Sequence, residues 1–186
     1  MISKFRALLL VAVACVANSS DAESDDNTRL VHDTLRTTFI VSDYDRAYAL
    51  FHDVLGLPID LTMDLDGEVV NELMGQTGRP MRIAIFNVDG TTSGRVAILA
   101  YLDEKNTEAV HRDKLDPGAA VLVFETTNID EISQRVTAAG YPILAGPSVL
   151  FPQPLMKTQA LEMMFIGPDG IAINLIQRGI PLDSEQ

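Results

Sequence analysis

Hydrophobic and polar residues follow one another along the chain in two long stretches that repeat the same order of elements. In the first stretch, a β-branched run at 35–43 is typical of a strand. Apolar residues then recur at helical spacing and predict an amphipathic helix at 43–55, with Ser42 as its N-cap and Gly56 at its end. Three further strands are predicted at 58–65, 81–88 and 95–102. The order of the first stretch is therefore β, α, β, β, β.

The second stretch repeats that order. A strand at 119–127 leads into a helix that Asn128 and Glu131 begin with a capping box and Gly140 ends. The later elements are expected to be a short strand at 141–147, a proline-rich loop at 147–154, and strands at 160–166 and 171–177. In such a repeat each unit has an unfinished sheet, so we expect the two units to complete one hydrophobic core together. The charged segment 104–118 is the expected linker between them.

Composition limits the range of functions before any motif does. The 186 residues are 47% apolar and 22% charged, which suits one globular domain of ordinary size or two small fused modules. The formal net charge is −12 at pH 7. Since such a chain has no basic surface to neutralise phosphates, nucleic acid is excluded as its main partner.

The first residues have the layout of a secretory signal peptide. Lys4 and Arg6 precede an apolar run at 7–14, which small and polar residues follow. The run is too short to span a bilayer. We expect residues 1–22 to be the signal peptide and the polar, acidic residues 23–33 to be a disordered tether. The sequence therefore predicts export to the periplasm.

A second interpretation of the same region gives the protein a lipid anchor. Residues 12–15, Ala-Val-Ala-Cys, resemble a bacterial lipoprotein box, in which Cys15 would carry the lipid. The protein would then be lipid-anchored at the cell envelope, and the membrane would be a partner only through that lipid. Cys15 is the one cysteine of the chain, so the mature domain has no disulfide, thiolate nucleophile or thiolate metal site.

Three segments carry a resemblance to a known family. The segment FIVSDYDRAYALFHDVLGLP at 39–58 resembles the opening of a module of the vicinal oxygen chelate superfamily, which contains glyoxalases, bleomycin-resistance proteins, fosfomycin-resistance enzymes and extradiol dioxygenases. Residues 123–143 and 163–177 are similar to the opening and the close of a second module. The resemblance extends over 34–178. It implies an α+β fold of two tandem βαβββ modules that form a cup-shaped, curved mixed sheet, with the helices outside and the ligand pocket in the concavity.

The implied fold also sets the domain boundaries. They are a first module at 34–103, the linker at 104–118, a second module at 119–178 and a short tail at 179–186. Because this one fold hosts many chemistries, the boundaries alone do not give a function.

The same resemblance identifies where a metal ion would be held. Members with metal chemistry place one ligand, usually His, Glu or Gln, on the first and the last strand of each module. The corresponding positions here are Arg36, then Ala97 or Ile98, then Val121, and finally Asn174, where the family commonly has Glu. A divalent metal needs three or four donors. Because Asn174 is a single neutral amide, we predict no metal site and no cofactor here.

Five other side chains are candidates to replace the lost ligands: His32, His52, His111, Glu125 and Glu162. We interpret the histidines as surface residues. Glu162 shares a strand face with Met164 and Ile166 by alternation. There it is either a pocket carboxylate that acts as a base, or a solvent-facing or paired side chain.

The polar residues that remain for the pocket are Arg36, Asn174 and Arg82. An inward-facing Arg36 requires an anionic ligand or a carboxylate neighbour, because an unpaired buried cation is very costly. Alternatively, Arg36 reaches the rim and pairs with an acid such as Asp33. The expected apolar lining consists of Phe39, Tyr101, Phe124, Met163 and Phe165.

Three functions are compatible with these residues. The first, which we favour, is a metal-free binding protein that holds a small anionic or aromatic molecule in the cup between the two modules. The second is a lyase, isomerase or dioxygenase of the same superfamily, metal-dependent through displaced ligands or metal-independent with Arg36 as electrophile and Glu162 as base. The third is a protein-interaction module. The hydrophobic strand at 95–101 is also compatible with a homodimer.

Overall fold

Each half of the chain folds into a four-stranded mixed sheet with a helical segment after its first strand. In this computed structural model, the first module contains β1 Arg36–Ile40, α1 Tyr44–Ala49, a π-helical turn Leu50–Val54, β2 Ile59–Leu65, β3 Met81–Phe86 and β4 Arg95–Tyr101. The second contains β5 Val121–Glu125, α2 Ile129–Ala138, β6 Ile143–Gln153, β7 Thr158–Ile166, a 3₁₀ turn Pro168–Gly170 and β8 Ala172–Pro181. The predicted α+β fold of two modules is confirmed.

The structure describes residues 30–31, 33–65, 72–75, 78–88, 90, 92–103, 112–153 and 158–181. The predicted signal peptide at 1–22, most of the predicted tether and the first part of the predicted linker lie outside these residues. All the elements named above belong to one unit that begins at Asp33. No helix within the described residues is both long enough and apolar enough to cross a membrane.

Both sheets have the same strand order. The first is β1-β4-β3-β2 and the second is β5-β8-β7-β6, with the first pair parallel and the other pairs antiparallel. In the parallel pairs Ala97 lies opposite Thr38, and Asn174 lies opposite Val123. This common register makes Ala97 and Asn174 equivalent positions of the two modules.

The two helical segments differ by one residue. Asp43 caps α1 through a hydrogen bond from the Arg46 amide (3.0 Å), and the segment ends at Gly56, whereas the segment that Asn128 caps ends at Gly140 after one residue fewer. The first module accommodates the additional residue as a π-helical turn, which is the usual way to insert one residue into a helix.

Two details of the predicted helices can now be judged. Ser42 was expected to be the N-cap of the first helix, and this is wrong, because its hydroxyl donates instead to Asp169 in the other module. In the second helix, the Glu131 amide donates to Asn128 Oδ1 at 3.1 Å, which confirms Asn128 as the cap.

Alternation of side chains gives each sheet a core face and an open face. The core faces of both sheets contribute to one continuous buried cluster with the helices, and its largest side chains include Phe51, Phe86 and Phe165. The open face of the first sheet carries Arg36, Thr38, Ile40, Leu61, Met63, Ile83, Ile85, Ala97, Leu99 and Tyr101. The open face of the second carries Val121, Val123, Glu125, Glu162, Met164, Ala172, Asn174, Ile176 and Arg178.

Two strand boundaries depart from the sequence prediction. The proline-rich segment at 147–154 was expected to be a loop, but β6 continues to Gln153. It is the edge strand of its sheet and is interrupted by bulges, and proline is tolerated in such a strand because it need not donate to a neighbour. The last strand also runs to Pro181, beyond the expected end of the module at 178, because Ile180 and Pro181 pair with the start of β7.

Candidate functional site

The amide of Asn174 lies on the open face of the second sheet beside a carboxylate. Asn174 is only 8% exposed, and its Nδ2 lies 3.4 Å from Glu162 Oε2 and 3.3 Å from the carbonyl oxygen of Met163. Both hydrogen bonds are long for an amide donor. The side chain is therefore held in place by its neighbours while its own oxygen remains an available acceptor.

A cleft of about 290 Å³ adjoins this pair. Its lining consists of Thr158, Gln159, Ala160, Glu162, Ile176, Arg178 and Gly179. The Nε of Arg178 is 3.8 Å from the Glu125 carboxylate, and both side chains are more than half exposed, so the pair is a weak one. An amide, a carboxylate and a guanidinium thus lie on one face, from Asn174, Glu162 and Arg178. We call the cleft together with these three residues the sheet cleft.

Strand β6 approaches β7 unusually closely beside this group. Gly146 has a positive φ of 84°, and a Cβ atom there would meet the carbonyl oxygen of Glu162 and the Cα of Met163. Only glycine fits both the backbone conformation and this approach. Gly146 therefore positions the backbone that carries Glu162.

Arg36 occupies the open face of the first sheet. Its side chain is exposed, and its pairing with an acid such as Asp33 stays a prediction. No contact between Arg36 and the Asn174–Glu162 pair appears among the described residues. The structure therefore does not bring the two predicted polar groups together within one chain.

Arg82 has a different role from the one expected of a pocket residue. Its guanidinium forms a two-pronged ion pair with Asp64 (2.6 and 3.0 Å) and lies 5.6 Å from the ring centroid of Tyr44, on the core side of the sheet. The hydrogen bonds from Arg82 lower the pKa of Asp64, and the carboxylate in turn raises the pKa of Arg82. Burial raises the pKa of the Tyr44 hydroxyl.

Most of the expected apolar lining lies on the other side of the sheets. Phe39, Phe124, Met163 and Phe165 all belong to the core cluster or pack against it. Tyr101 is the one of the five that lies on an open face, and the Arg79 guanidinium stacks on its ring at 3.7 Å. By alternation, Phe39 lies on the opposite face from Arg36, and Met163 and Phe165 lie on the opposite face from Glu162.

The open-face register shows which residues lie where the resemblance to the superfamily implies metal ligands. Ala97 faces outward whereas Ile98 is buried in the core cluster, so the four positions carry Arg36, Ala97, Val121 and Asn174. A cation, two aliphatic side chains and one amide do not fit a divalent metal ion.

Replacement ligands are also missing from the described part of the chain. No group of three or more His, Cys, Asp or Glu side chains there could hold a metal. The ring of His52 is engaged locally, with Nδ1 3.1 Å from the carbonyl oxygen of Leu57. His32 and His111 lie outside the described residues.

A larger cavity of about 520 Å³ lies where the two modules meet. One side is formed by the end of the first helical segment and the end of β3, and the other by β5, α2 and β8. The side-chain oxygen of Asn87, one of its lining residues, is buried and accepts no hydrogen bond from the described residues. This cavity was not foreseen from the sequence, because it depends on how the modules pack.

A family model described as glyoxalase/bleomycin resistance protein/dioxygenase superfamily matches residues 34–175. The chain belongs to this superfamily. Its fold is similar to that of a glyoxalase family protein from Bacillus cereus, with a TM-score of 0.65 and 22% identity over 83% of this chain and 97% of that one.

Two further structures of the superfamily fold are similar. A trypanothione-dependent glyoxalase I from Leishmania major gives a TM-score of 0.51 with 14% identity, covering 79% of this chain and 87% of that one. An antibiotic binding protein from Streptomyces gives a TM-score of 0.50 with 20% identity, covering 81% and 99%. A search of curated protein sequences found no significant match. At these identities the likeness establishes the fold alone.

Arg178 is the site residue that the sequence reasoning missed. It lies four residues after Asn174 on β8 and therefore shares its face. The period of two was already visible in the sequence, and extending it past the expected end of the strand would have found this guanidinium.

Proposed function

We propose that this superfamily member is a metal-free binding protein that holds a small anionic molecule at the sheet cleft. The observation that carries the proposal is the group formed by Asn174, Glu162 and Arg178 around a cleft on the open face. Arg178 would pair with a carboxylate or similar group of the ligand. Asn174 would accept or donate one hydrogen bond without adding charge.

The proposed absence of a metal rests on the chemistry of the available donors. Where the family commonly has a Glu ligand, this chain has an amide, and the other three positions supply a cation and two aliphatic groups. The similar antibiotic binding protein supports a binding role for this fold, although the likeness to it is one of fold alone. Only Tyr101, among the five expected lining residues, supports an aromatic ligand.

An enzymatic role is the second candidate, and the position of Glu162 favours it. Its partly buried carboxylate lies in the cleft within 3.4 Å of the Asn174 amide, where a general base would stand. A Glu162→Gln variant would then retain ligand binding and lose turnover. A variant with undiminished turnover would remove this candidate.

We also propose that the protein is exported and forms a homodimer. Export rests on the charged, apolar and polar order of residues 1–22, with Cys15 as the alternative lipid anchor. Dimerisation rests on apolar side chains of the open faces that a single chain leaves exposed, among them Ile40 at 52% and Val123 at 59%. A second copy would cover them, and sedimentation velocity measures the stoichiometry.

The metal-free character is tested by native mass spectrometry and calorimetry of the complete chain with Zn²⁺, Mn²⁺, Ni²⁺ and Fe²⁺. We expect no stoichiometric binding by the wild type. We also expect none by Asn174→Glu, since Arg36, Ala97 and Val121 would still occupy the other positions. Tight binding of one ion per chain by the wild type would overturn the proposal.

Ligand binding is tested by titrating 3-phenylpropionate while recording amide shifts by NMR. The amides of Asn174, Glu162 and Arg178 should respond, and Arg178→Ala should weaken binding at least about tenfold. Arg135→Ala is the matched control, because Arg135 pairs with Glu131 on the exposed face of α2, away from the cleft. Equal affinity in both variants would contradict the assignment of the anion site.

A further inference from the structure

The two modules meet at two junctions that the internal repeat makes equivalent. At the first, which we call the closed junction, the start of α1 contacts the turn between β7 and β8. The Ser42 amide and hydroxyl both donate to the Asp169 carboxylate (2.9 and 2.6 Å), and Leu50 packs against Gly167. The Tyr141 ring fills the adjoining space, and its hydroxyl donates to the carbonyl oxygen of Arg46 (3.2 Å).

The second, which we call the cavity junction, has the same backbone frame. The Asn87 amide donates to the Pro58 carbonyl oxygen at 2.9 Å, just as the Ile166 amide donates to that of Pro142 at 3.0 Å. The residue before each proline differs: it is Tyr141 at the closed junction and Leu57 at the cavity junction. Leu57 lines the cavity of about 520 Å³ at this junction.

One polar atom of this cavity, Asn87 Oδ1, has no hydrogen-bond partner among the described residues. Where the second module has the buried aliphatic residue Ile166, the first has Asn87, whose Oδ1 is buried and receives no hydrogen bond from the described residues. Buried acceptors in folded proteins are nearly always paired. A donor group that enters the cavity would therefore satisfy Asn87 Oδ1.

The charge around the cavity is negative. Glu125 is the one ionisable residue of the described lining, and the Nε of Arg178 lies 3.8 Å from its carboxylate. The Thr126 amide donates to Ile176 of the neighbouring strand, so alternation in a parallel ladder turns the carbonyl of Glu125 towards the free edge of β5 and the cavity. The lining thus offers acceptors and a negative charge against apolar walls.

We infer that the cavity junction is a second ligand site, which takes a small organic cation with an ammonium group on an apolar body. The ammonium donates to Asn87 Oδ1 and is attracted by the Glu125 carboxylate. The apolar body packs against Leu57, Phe124 and Ile132, and the volume lies in the usual range for small-molecule sites. This site uses other residues than the anion site proposed above and does not depend on it.

The probe is 2-phenylethylammonium, titrated into the complete chain while amide shifts are recorded by NMR. We expect saturable shifts of the Asn87, Thr126 and Ile132 amides. The anion 3-phenylpropionate has a similar size and shape and should leave these amides unchanged. An equal response to both probes would show an apolar cavity without the proposed selectivity and would overturn the inference.

Variants copied from the closed junction make the test specific. Leu57→Tyr should place an aromatic ring in the cavity and weaken binding at least about tenfold, and Asn87→Ile should remove the acceptor and weaken it about five- to tenfold. Asn87→Asp keeps an acceptor and adds charge, so it should bind the cation more tightly than the wild type. Wild-type affinity in both Leu57→Tyr and Asn87→Ile would overturn the inference.

Two charge variants separate this site from its surroundings. Glu125→Gln should weaken cation binding about two- to fivefold, since a partly exposed charge is screened by solvent. Glu72→Gln makes the same change at an exposed residue outside the cavity lining and should have no effect. Arg178→Ala should weaken anion binding at least about tenfold without weakening cation binding, because it removes a cation beside Glu125, so the failure of one site is distinguishable from the failure of the other.

Discussion

Ala97 and Asn174 stand at equivalent positions of two sheets that share strand order and register, yet their surroundings differ. Around Ala97 the open face is aliphatic, with Ile83 and Ile85 as its buried neighbours. Around Asn174 it carries Glu162 and Arg178. The repeated fold therefore leaves the open faces free to diverge, and the polar group that we propose for binding lies on only one of them.

The core faces of the two sheets, in contrast, are alike. Phe86 and Phe165 are equivalent through the same register, and both are fully buried in one cluster that the two modules share. The fold is maintained on this side, since each module completes the core of the other. The comparison thus separates a side that stabilises the fold from a side that can specify function.

The largest effect is expected when this shared core is opened. Phe86→Ala and Phe165→Ala should each lower the free energy of unfolding by about 3–5 kcal/mol, because each removes a fully buried ring and leaves a cavity. Urea denaturation followed by circular dichroism measures the loss. Met63→Ala, on an open face and 44% exposed, is the control and should cost less than about 1 kcal/mol.

The form of the transition sharpens the same comparison. If the modules share one core, both phenylalanine variants should unfold in a single transition, as a cooperative domain does. Two separated transitions, with each variant shifting only one, would mean that the modules are stable independently and that the common cluster contributes little.

A smaller effect is expected at the closed junction, where Asp169 joins the modules. Asp169→Ala should cost about 1–3 kcal/mol, because it removes two hydrogen bonds to a carboxylate that is partly buried. Asp169 also has a positive φ of 54°, which glycine tolerates and alanine does not. Asp169→Gly should therefore be more stable than Asp169→Ala by about 1 kcal/mol.

Denaturation of both variants, together with Ser42→Ala, measures these differences. If Asp169→Gly is the least stable variant, the positive φ of residue 169 does not contribute to the loss of stability in Asp169→Ala. Wild-type stability in all three variants would mean that the closed junction is held by Tyr141 and Leu50 rather than by the carboxylate.

The module repeat could be predicted from the sequence because the apolar spacing switches between periods of two and 3.6 in the same order twice. The position of Asn174 was also foreseeable, since it interrupts an otherwise apolar strand. Two local features were not. The π-helical turn at Leu50–Val54 changes the apolar spacing too little to be seen, and the prolines of β6 conceal an edge strand.

The site was harder to foresee than the fold for a physical reason. Strand β4 is apolar on both faces, so its pattern does not reveal which face meets the helices. The cavity that Leu57 lines, and the contact of Tyr141 with Arg46 at the equivalent place, exist only once the modules are packed together. Sequence periodicity describes one element at a time and contains no information about such a junction.

The smallest effect concerns an ion pair that one module has and the other lacks. Asp64 lies opposite Arg82 in the first sheet, and the equivalent pair in the second is Val149 opposite Leu161. Because hydrogen bonds from Arg82 lower the pKa of Asp64, the pair stabilises the folded state above the carboxyl's ordinary pKa, and this contribution is lost as the pH falls through the lowered pKa. The double variant Asp64→Val, Arg82→Leu copies the second module and should lose this pH dependence. Its free energy of unfolding relative to that of the wild type should therefore rise as the pH falls from 7 to about 3. A constant difference across that range, measured by urea denaturation, would mean that the ion pair forms equally in the unfolded chain or contributes nothing to folding.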